Sequence, residues 1–217
     1  DLPWVQLVLL FLLRPQETPT FLSEGLKTKL AFSNKFNSII GDIRNYQALQ
    51  IAIDSSRPEI IIHMAAQPLV RQSYDCPVNT YETNVMGTVH VLESIRHTQD
   101  ISSALVVTSD KCYANTNSIQ SYSETDTLGG IDPYSNSKSC AELVTMAYRS
   151  SFFSSHNTGG NASIATARAG NVIGGGDWAK DRLVPDAITA FANGEPVTIR
   201  NRNAIRPWQH VLEPLSG

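Results

Sequence analysis

Short apolar runs that alternate with helix-like segments constrain the fold of this chain more than any other feature. A continuous apolar run is expected for a parallel strand that is buried on both faces of its sheet. The candidate strands are residues 59–64, 103–108 and 162–167, with a shorter run at 196–199. The candidate helices, with apolar residues at helical spacing, are residues 81–96, 134–149 and 183–192. This alternation predicts an α/β fold, a doubly wound parallel sheet of the Rossmann type.

The apolar segment 3–13 needs an interpretation of its own. It is about half as long as a helix that crosses a bilayer, so we expect a helix of a larger fold and no membrane span. A Rossmann domain opens with a strand, a glycine-rich turn and a helix, but no glycine precedes Gly25. We interpret 3–13 as that first helix, with the first strand, the glycine loop and also the second strand lacking. Residues 1–37 are then a remnant of the first helix plus a connector, and 38–217 are the Rossmann-like core with the start of a substrate-binding region.

Composition excludes several classes of protein. A net charge of −3 without a block of lysine or arginine argues against nucleic acid as a partner. Cys76, Cys112 and Cys140 share no Cys-x-x-Cys spacing, so we expect buried free thiols in a reducing compartment, the cytoplasm. No set of histidine, cysteine and carboxylate residues has the spacing of a metal site, and we expect no metal.

The pair Tyr134 and Lys138 is the first candidate for catalysis. Residues four apart lie on one face of a helix, so the phenol and the ammonium group can share one site. An unperturbed tyrosine titrates near pH ~10, and a neighbouring cation lowers that pKa towards the range of a working general base. The same spacing also occurs on solvated helix faces, so the pair alone leaves that alternative open.

Residues that follow the candidate strands strengthen the case for a site. In parallel α/β sheets, ligands collect at the carboxyl ends of the strands. The segments at these ends are residues 65–68 with Arg71, residues 109–111 and residues 168–178. Taken alone, Ser109 or Asp110 is more often the cap of a turn after a strand. Together with Tyr134 and Lys138, they favour a site at this edge of the sheet.

Several longer motifs resemble one enzyme family. The chain is similar to the extended short-chain dehydrogenase/reductases of the NAD-dependent epimerase/dehydratase family, and within it to the CDP-glucose 4,6-dehydratases. The motifs that carry this resemblance are residues 63–71, 108–113, 128–138, 167–178 and 206–214. The resemblance covers residue 38 to residue 217. Its most specific parts are Ser109-Asp110-Lys111, where dTDP-sugar dehydratases have an Asp-Glu pair, and the run Arg206-Pro-Trp-Gln-His210.

The resemblance implies a role for each catalytic residue. Tyr134 would remove the proton of the sugar 4-hydroxyl while hydride passes from C4 to NAD⁺. Lys138 would bind the nicotinamide ribose and lower the pKa of Tyr134, and Ser109 would bond the same sugar oxygen. Asp110 would protonate the departing 6-hydroxyl and Lys111 would remove the C5 proton. Hydride then returns to C6, so that a nucleotide-glucose, CDP-glucose by this resemblance, becomes its 4-keto-6-deoxy sugar.

The resemblance also implies the binding residues and the partners. The residues expected to bind NAD are Asp42, Ile43, Ala65, Ala66, Gln67, Tyr134 and Lys138. The residues expected to bind the nucleotide-sugar are Arg71, Asn171, Leu183, Val184, Arg206 and His210. Members of the family often form homodimers through two helices of each subunit, and the matching segments here are residues 81–96 and 134–149.

Two other functions remain open at this point. An NAD-dependent nucleotide-sugar epimerase uses the same tyrosine and lysine, but it needs no acid or base at C5 and C6, so Asp110 and Lys111 separate the two activities. Because the glycine loop is lacking, the chain could instead be an inactive fragment that does not bind NAD.

Overall fold

The computed structural model describes residues 7–9, 39, 41–115, 121–154, 162–177, 179 and 181–217. These residues belong to two compact units, of which one ends at Ala169 and the other contains the residues from Gly170 to Gly217. The boundary expected between residues 37 and 38 lies outside the described residues.

The first unit is built on a four-stranded parallel sheet. Its strands are β1 (Leu7–Leu9), β2 (Ile60–His63), β3 (Ser103–Val107) and β4 (Ser163–Ala167), and they lie in the order β1-β2-β3-β4. Three of the four predicted strands are therefore confirmed with nearly the predicted bounds. Residues of β2 and β3 alternate between buried and half-buried, as expected for strands covered on both faces. The α/β class and the parallel sheet predicted from the sequence are confirmed.

The prediction of a helix over residues 3–13 is wrong for residues 7–9, the part of that segment that the structure describes. Leu7–Leu9 is a strand that pairs in parallel with Ile60–Ile62. Periodicity does not distinguish a short, wholly apolar helix from a buried strand. Strand β2 has an edge to be paired, and pairing satisfies backbone groups that an exposed edge would leave open. The other residues of 3–13, and the predicted connector up to residue 37, lie outside the described residues.

A second prediction that the structure contradicts is the strand over residues 196–199. They are irregular in the structure. Pro196 lacks the N–H that a ladder requires, which disfavours a paired strand. The second unit instead contains a two-stranded parallel sheet of β5 (Asn171–Ile173) and β6 (Trp208–His210).

The three predicted helices are confirmed with nearly the predicted bounds, and the structure contains other helices that were not predicted. The helical elements are α1 (Tyr46–Ser56), α2 (Val70–Asp75), α3 (Pro77–Tyr81), a π-helical turn (Glu82–Met86), α4 (Gly87–His97), a 3₁₀ turn (Asp110–Cys112), α5 (Pro133–Phe152), α6 (Leu183–Ala192) and α7 (Leu212–Ser216). The predicted helix 81–96 is thus the larger part of one helical segment from residue 77 to residue 97, and 134–149 is the larger part of α5. The N-cap of α1 is Asn45, whose side-chain oxygen accepts a hydrogen bond from the N–H of Ala48 at 3.1 Å.

The core of the first unit lies between the sheet and helices α1 and α4. Its buried members include Ile43, Leu49, Ile53, Ile61, Val91, Leu92, Ile95, Val106 and Ile164. Burial of one such side chain stabilises the fold by about 1.5–3 kcal/mol. A Cβ atom at Gly87 would lie only 2.9 Å from Cγ2 of Ile43, so glycine is what lets α4 approach the core so closely.

The cysteines were expected to be buried free thiols. All three cysteines are free thiols, but only Cys112 is buried, since Cys140 is half-buried and Cys76 is exposed. The expectation that all three are buried is therefore wrong.

Within the part of the chain that the structure describes, no helix is both long enough and apolar enough to traverse a bilayer.

Candidate active site

Helix α5 presents Tyr134 and Lys138 from its first turns. Asp132 caps the helix, because its carboxylate accepts hydrogen bonds from the N–H of Ser135 at 2.9 Å and from its hydroxyl at 2.6 Å. Pro133 occupies the first turn, where its missing N–H costs no intrahelical bond. The side chains of Tyr134 and Lys138 are buried, with residue exposures of 8% and 7%. The alternative of a solvated helix face is therefore excluded.

Lys138 lies in an environment that adjusts its proton affinity. Its Nζ donates a hydrogen bond to the carbonyl oxygen of Val107 at 3.2 Å. Burial lowers the pKa of Lys138 to about 8, while the nearby Glu142 carboxylate opposes that fall. The amine is therefore mostly an ammonium group at neutral pH, and it loses its proton as the pH rises through about 8.

Ser109, Asp110 and Lys111 follow strand β3 and form the turn that leaves it. The Ser109 hydroxyl accepts a hydrogen bond from the N–H of Lys111 at 3.3 Å and donates one to Oδ1 of Asp110 at 3.1 Å. Ser109 is thus a turn cap and is also buried. Nζ of Lys111 lies 3.5 Å from Oδ1 of Asp110, and about a third of each side chain is exposed (35% and 31%). An acid and an amine are therefore held together and remain accessible.

Two contacts hold α5 against this turn. Lys138 reaches the carbonyl of Val107, near the end of β3. One residue later, the Ser139 hydroxyl donates to the carbonyl of Cys112 at 2.7 Å. The predicted catalytic residues of the first unit are therefore carried by two elements that are bonded directly to each other.

The loop after β2 was predicted to approach the cofactor, and the structure shows how it is held. Asn84 of the π-helical turn accepts the N–H of Gln67 at 2.7 Å and donates to its carbonyl at 3.1 Å. Its amide also donates to the Ser137 hydroxyl on α5 at 2.8 Å. Because the Gln67 side-chain amide itself bonds Leu69 and Thr80, that side chain maintains the loop. Asn84 was not predicted as a site residue, because it is one of many polar residues in the helical segment 77–97.

Asp42 lines an open groove of about 830 Å³, and Ile43 does not. The other lining residues are Arg44, Asn45, Tyr46, Gln47, Glu82, Met86 and His90. Arg44 binds the Asp42 carboxylate, and its Nη2 lies 2.6 Å from Oδ2. The Ile43 side chain is buried in the core, and its carbonyl lies 2.9 Å from Nδ1 of His90. A ligand that bonds Asp42 therefore has to share that carboxylate with Arg44.

The second unit carries most of the residues expected to bind the nucleotide-sugar. The side-chain oxygen of Asn171 is buried and has no hydrogen-bond partner among the described residues, so it is an acceptor available to a ligand. Arg206, His210 and Leu183 are exposed, and Val184 is half-buried. In the first unit, Arg71 is exposed in the first turn of α2.

A buried cluster of polar side chains, which was not predicted from the sequence, surrounds Glu142 of α5. Glu142, on the turn of α5 after Lys138, accepts hydrogen bonds from the hydroxyls of Thr108 and Thr166 and from Nη2 of Arg168, the last at 2.9 Å. Arg168 also lies over the ring of Tyr113, 4.8 Å from its centroid. Glu142 stands four residues after Lys138 and could have been identified as a residue on the same helix face.

His63 of β2 is a core residue. It is buried, with Nε2 3.1 Å from the Thr88 hydroxyl. Burial, with a smaller effect of the Lys138 charge, lowers the pKa of His63 to about 3. It is therefore neutral at physiological pH.

Comparisons with known proteins agree on one family. The model of a family described as GDP-mannose 4,6 dehydratase matches residues 12–216. The CDP-glucose 4,6-dehydratase of Salmonella typhimurium is 57% identical over 181 residues, which are 83% of this chain and 50% of that protein. The dTDP-D-glucose 4,6-dehydratase of Dictyostelium discoideum is 27% identical over 169 residues, 73% of this chain and 37% of that protein. The chain thus spans half or less of the length of these curated relatives.

Solved structures share the fold. A dTDP-glucose 4,6-dehydratase from Streptomyces venezuelae, crystallised with NAD, superposes with a TM-score of 0.75 at 23% identity, over 86% of this chain and 54% of that one. A UDP-glucuronic acid 4-epimerase from Bacillus cereus, also with NAD, has a TM-score of 0.76 at 22% identity, over 90% of this chain and 58% of that one. At these identities the likeness establishes the Rossmann-like fold alone.

Proposed function

Because this chain belongs to the GDP-mannose 4,6-dehydratase family, we propose that it contributes the catalytic residues of an NAD-dependent nucleotide-sugar 4,6-dehydratase, with CDP-glucose as the substrate. One observation carries the proposal above all. The helix that carries the buried Tyr134 and Lys138 is bonded, through Lys138 and Ser139, to the end of β3 and to the turn that presents a serine, a carboxylic acid and a second lysine. The choice of CDP-glucose rests on the 57% identity with the Salmonella enzyme.

The residues of the first unit fit NAD at its nicotinamide end. The buried Lys138 ammonium is a donor for ribose hydroxyls, and it is anchored on Val107 so that it keeps one position. The small side chains of Ala65 and Ala66 follow β2 and leave room for a flat ligand near the backbone. When bound, NAD⁺ would accept the hydride from C4 of the sugar and return it at C6.

Tyr134 is the base for the 4-hydroxyl in this proposal. The neighbouring Lys138 ammonium favours the phenolate, so the charge on Lys138 is needed for the oxidation step. Because the pKa of Lys138 is about 8, the activity should fall as the pH rises through that value. The buried Ser109 hydroxyl would hold the same sugar oxygen during the proton transfer.

Asp110 and Lys111 supply the acid and the base for the loss of water. A carboxylate beside an ammonium group holds the same number of protons as a carboxylic acid beside a free amine. The Asp110–Lys111 contact of 3.5 Å therefore needs only one proton to move for both groups to be in the required form. A sugar that covers the pair excludes water and favours the uncharged form. Lys111 would then remove the C5 proton, and Asp110 would protonate the 6-hydroxyl as it leaves.

The same pair favours a dehydratase over an epimerase. An epimerase needs Tyr134 and Lys138 for oxidation and reduction at C4, but it has no use for an acid and a base at C5 and C6. The accessible Asp110–Lys111 pair is the observation that supports the dehydratase.

We expect CDP-glucose and NAD⁺ to give a 4-keto-6-deoxy sugar, which absorbs in the near ultraviolet after alkali is added. The matched controls are dTDP-glucose, UDP-glucose and GDP-mannose at the same concentration. Turnover of one of these but not of CDP-glucose would reject the substrate, and an epimerised sugar without keto product would identify the epimerase. Isothermal titration with NAD⁺ alone tests the inactive-fragment alternative, for which no binding heat is expected.

We propose that the protein is cytoplasmic, which agrees with its three free thiols.

We further propose that the protein is a homodimer that pairs through the helical segment 77–97 and α5. Leu143 and Met146 lie one turn apart on α5 and are 53% and 45% exposed. On the neighbouring segment, Val78 and Met86 are 70% and 46% exposed. Apolar side chains exposed on two helices that pack together form a surface suited to a second copy.

The double substitution Leu143→Glu and Met146→Glu should convert the dimer to a monomer, because it places two charges in an apolar contact. Sedimentation velocity measures the change in mass. Ile51→Glu is the matched control, since Ile51 is equally apolar and 69% exposed but lies on α1. A wild-type protein that sediments as a monomer at micromolar concentration would contradict the proposal.

A further inference from the structure

Among the residues that the structure describes, Glu142 has the most deeply buried carboxylate. Glu142 is 3% exposed, and the partner Arg168 side chain is 13% exposed. Removing a carboxylate from water is costly unless hydrogen bonds and a cation compensate for it. Both oxygens are indeed bonded: Oε1 accepts the Thr108 hydroxyl, and Oε2 accepts the Thr166 hydroxyl at 2.9 Å and Nη2 of Arg168 at 2.9 Å.

This one carboxylate joins three elements that bear on the site. Glu142 is on α5, one turn after Lys138, and Thr108 directly precedes Ser109 at the end of β3. Thr166 belongs to β4, and Arg168 follows that strand. The two strand ends are also bonded to each other, since the N–H of Asp110 donates to the carbonyl of Ala169 at 2.9 Å. Glu142 therefore fastens the helix of Tyr134 and Lys138 to the turn of Ser109, Asp110 and Lys111.

The charge of Glu142 also acts on Lys138. Among the residues that the structure describes, three titratable groups besides Tyr134 interact electrostatically with Lys138: His63 from β2, Cys112 from the 3₁₀ turn and Glu142 from α5 itself. His63 has a pKa of about 3, and burial raises the pKa of the Cys112 thiol to about 11, so both are neutral at pH 7. Burial also raises the pKa of Glu142, but the hydrogen bonds that it accepts outweigh burial and hold that pKa below its ordinary value. Of the three groups, Glu142 is the one that is ionised.

We propose that Glu142 is a positioning residue for the reaction: it fastens α5 to the strand ends beneath the site and supplies the negative charge that keeps Lys138 an ammonium group. The proposal rests on the proposed function as far as the reaction is concerned. Its electrostatic part concerns the free protein and needs no substrate.

The test is Glu142→Gln, which keeps the shape of the side chain and removes its charge. The titration of Lys138 is followed by NMR on protein with ¹³C-labelled lysine, with the resonance assigned from a Lys138→Met variant. We expect the titration midpoint of Lys138 to fall by on the order of one pH unit, because burial is then unopposed. The alkaline limb of the kcat profile should move to lower pH by the same amount, with kcat roughly fivefold lower at pH 8 and KM little changed.

Three further variants keep the result decisive. Thr166→Val removes one hydrogen bond to Glu142 but leaves its charge, so the Lys138 midpoint should stay at the wild-type value. The double variant Glu142→Gln with Arg168→Met removes the unpaired cation and is used if the single variant does not fold; its Lys138 midpoint should again fall. Glu142→Asp keeps the charge and should restore most of the wild-type midpoint.

The failure of this proposal can be separated from failure of the proposed function. A folded Glu142→Gln protein whose Lys138 titrates as in the wild type would overturn the proposal, whatever the enzyme does. A wild-type protein without dehydratase activity would overturn the proposed function, and the Lys138 titration would still decide the role of the Glu142 charge.

Discussion

Tyr134→Phe should lower kcat for nucleotide-sugar dehydration by about 10²–10⁴-fold, the usual contribution of a general base. The substitution removes one hydroxyl from a ring that is 8% exposed, so packing is retained and the loss is chemical. The measurement is steady-state turnover of CDP-glucose between pH 6 and pH 9, with thermal unfolding of both proteins to verify the fold. Since phenylalanine has no proton to exchange at any pH, raising the pH should not restore the rate.

Tyr148→Phe is the matched control for that experiment. Tyr148 is on the same helix and is half-buried, but its hydroxyl donates to Glu93 on α4 at 3.2 Å and not to the turn of Ser109, Asp110 and Lys111. Its kcat should equal that of the wild type. A Tyr134→Phe protein with kcat within a factor of about three of the wild type would show that another group is the base.

Arg168→Met should destabilise the fold by about 3 kcal/mol at neutral pH, because it leaves the Glu142 carboxylate buried without its cation. Methionine fills a similar volume, so the loss is mainly that of charge compensation. Urea unfolding followed by circular dichroism measures the difference. Arg57→Met is the control: its pair with Asp100 has a similar distance of 2.7 Å, but the two side chains are 74% and 52% exposed, and we expect no measurable change.

The pH dependence of this loss has a definite sign. In the wild type, the pKa of Glu142 is held below its ordinary value of 4.5, so the pair contributes stability above that pH and loses it as the pH falls through the folded pKa. In Arg168→Met, the buried carboxyl has a raised pKa and takes up a proton before the unfolded chain does. The deficit relative to the wild type should therefore be largest near pH 8 and shrink towards pH 5. A deficit that stays constant over this range would show that lost packing, and not the charge of Glu142, causes it.

Local sequence patterns predicted the elements that obey a simple period. The helix predicted over 183–192 and the strand predicted over 162–167 agree with the structure to within one residue. Residues 7–9 and 196–199 were predicted wrongly for related reasons. Whether a short apolar run becomes a strand depends on a neighbour that is distant in sequence, which Leu7–Leu9 finds in β2.

In the candidate site, too, relations between residues near in the chain were predicted, and contacts between distant residues were not. The sequence was enough to predict that Tyr134 and Lys138 share a helix face and that Ser109, Asp110 and Lys111 follow a strand, because these relations depend only on residues near in the chain. The burial of the pair, and the contacts by which Asn84 and Glu142 hold the site together, depend on the tertiary structure. Glu142 meets Arg168 and Thr108 across 26 and 34 residues. Contacts of that range depend on how α5 packs on the ends of β3 and β4, which no local pattern encodes.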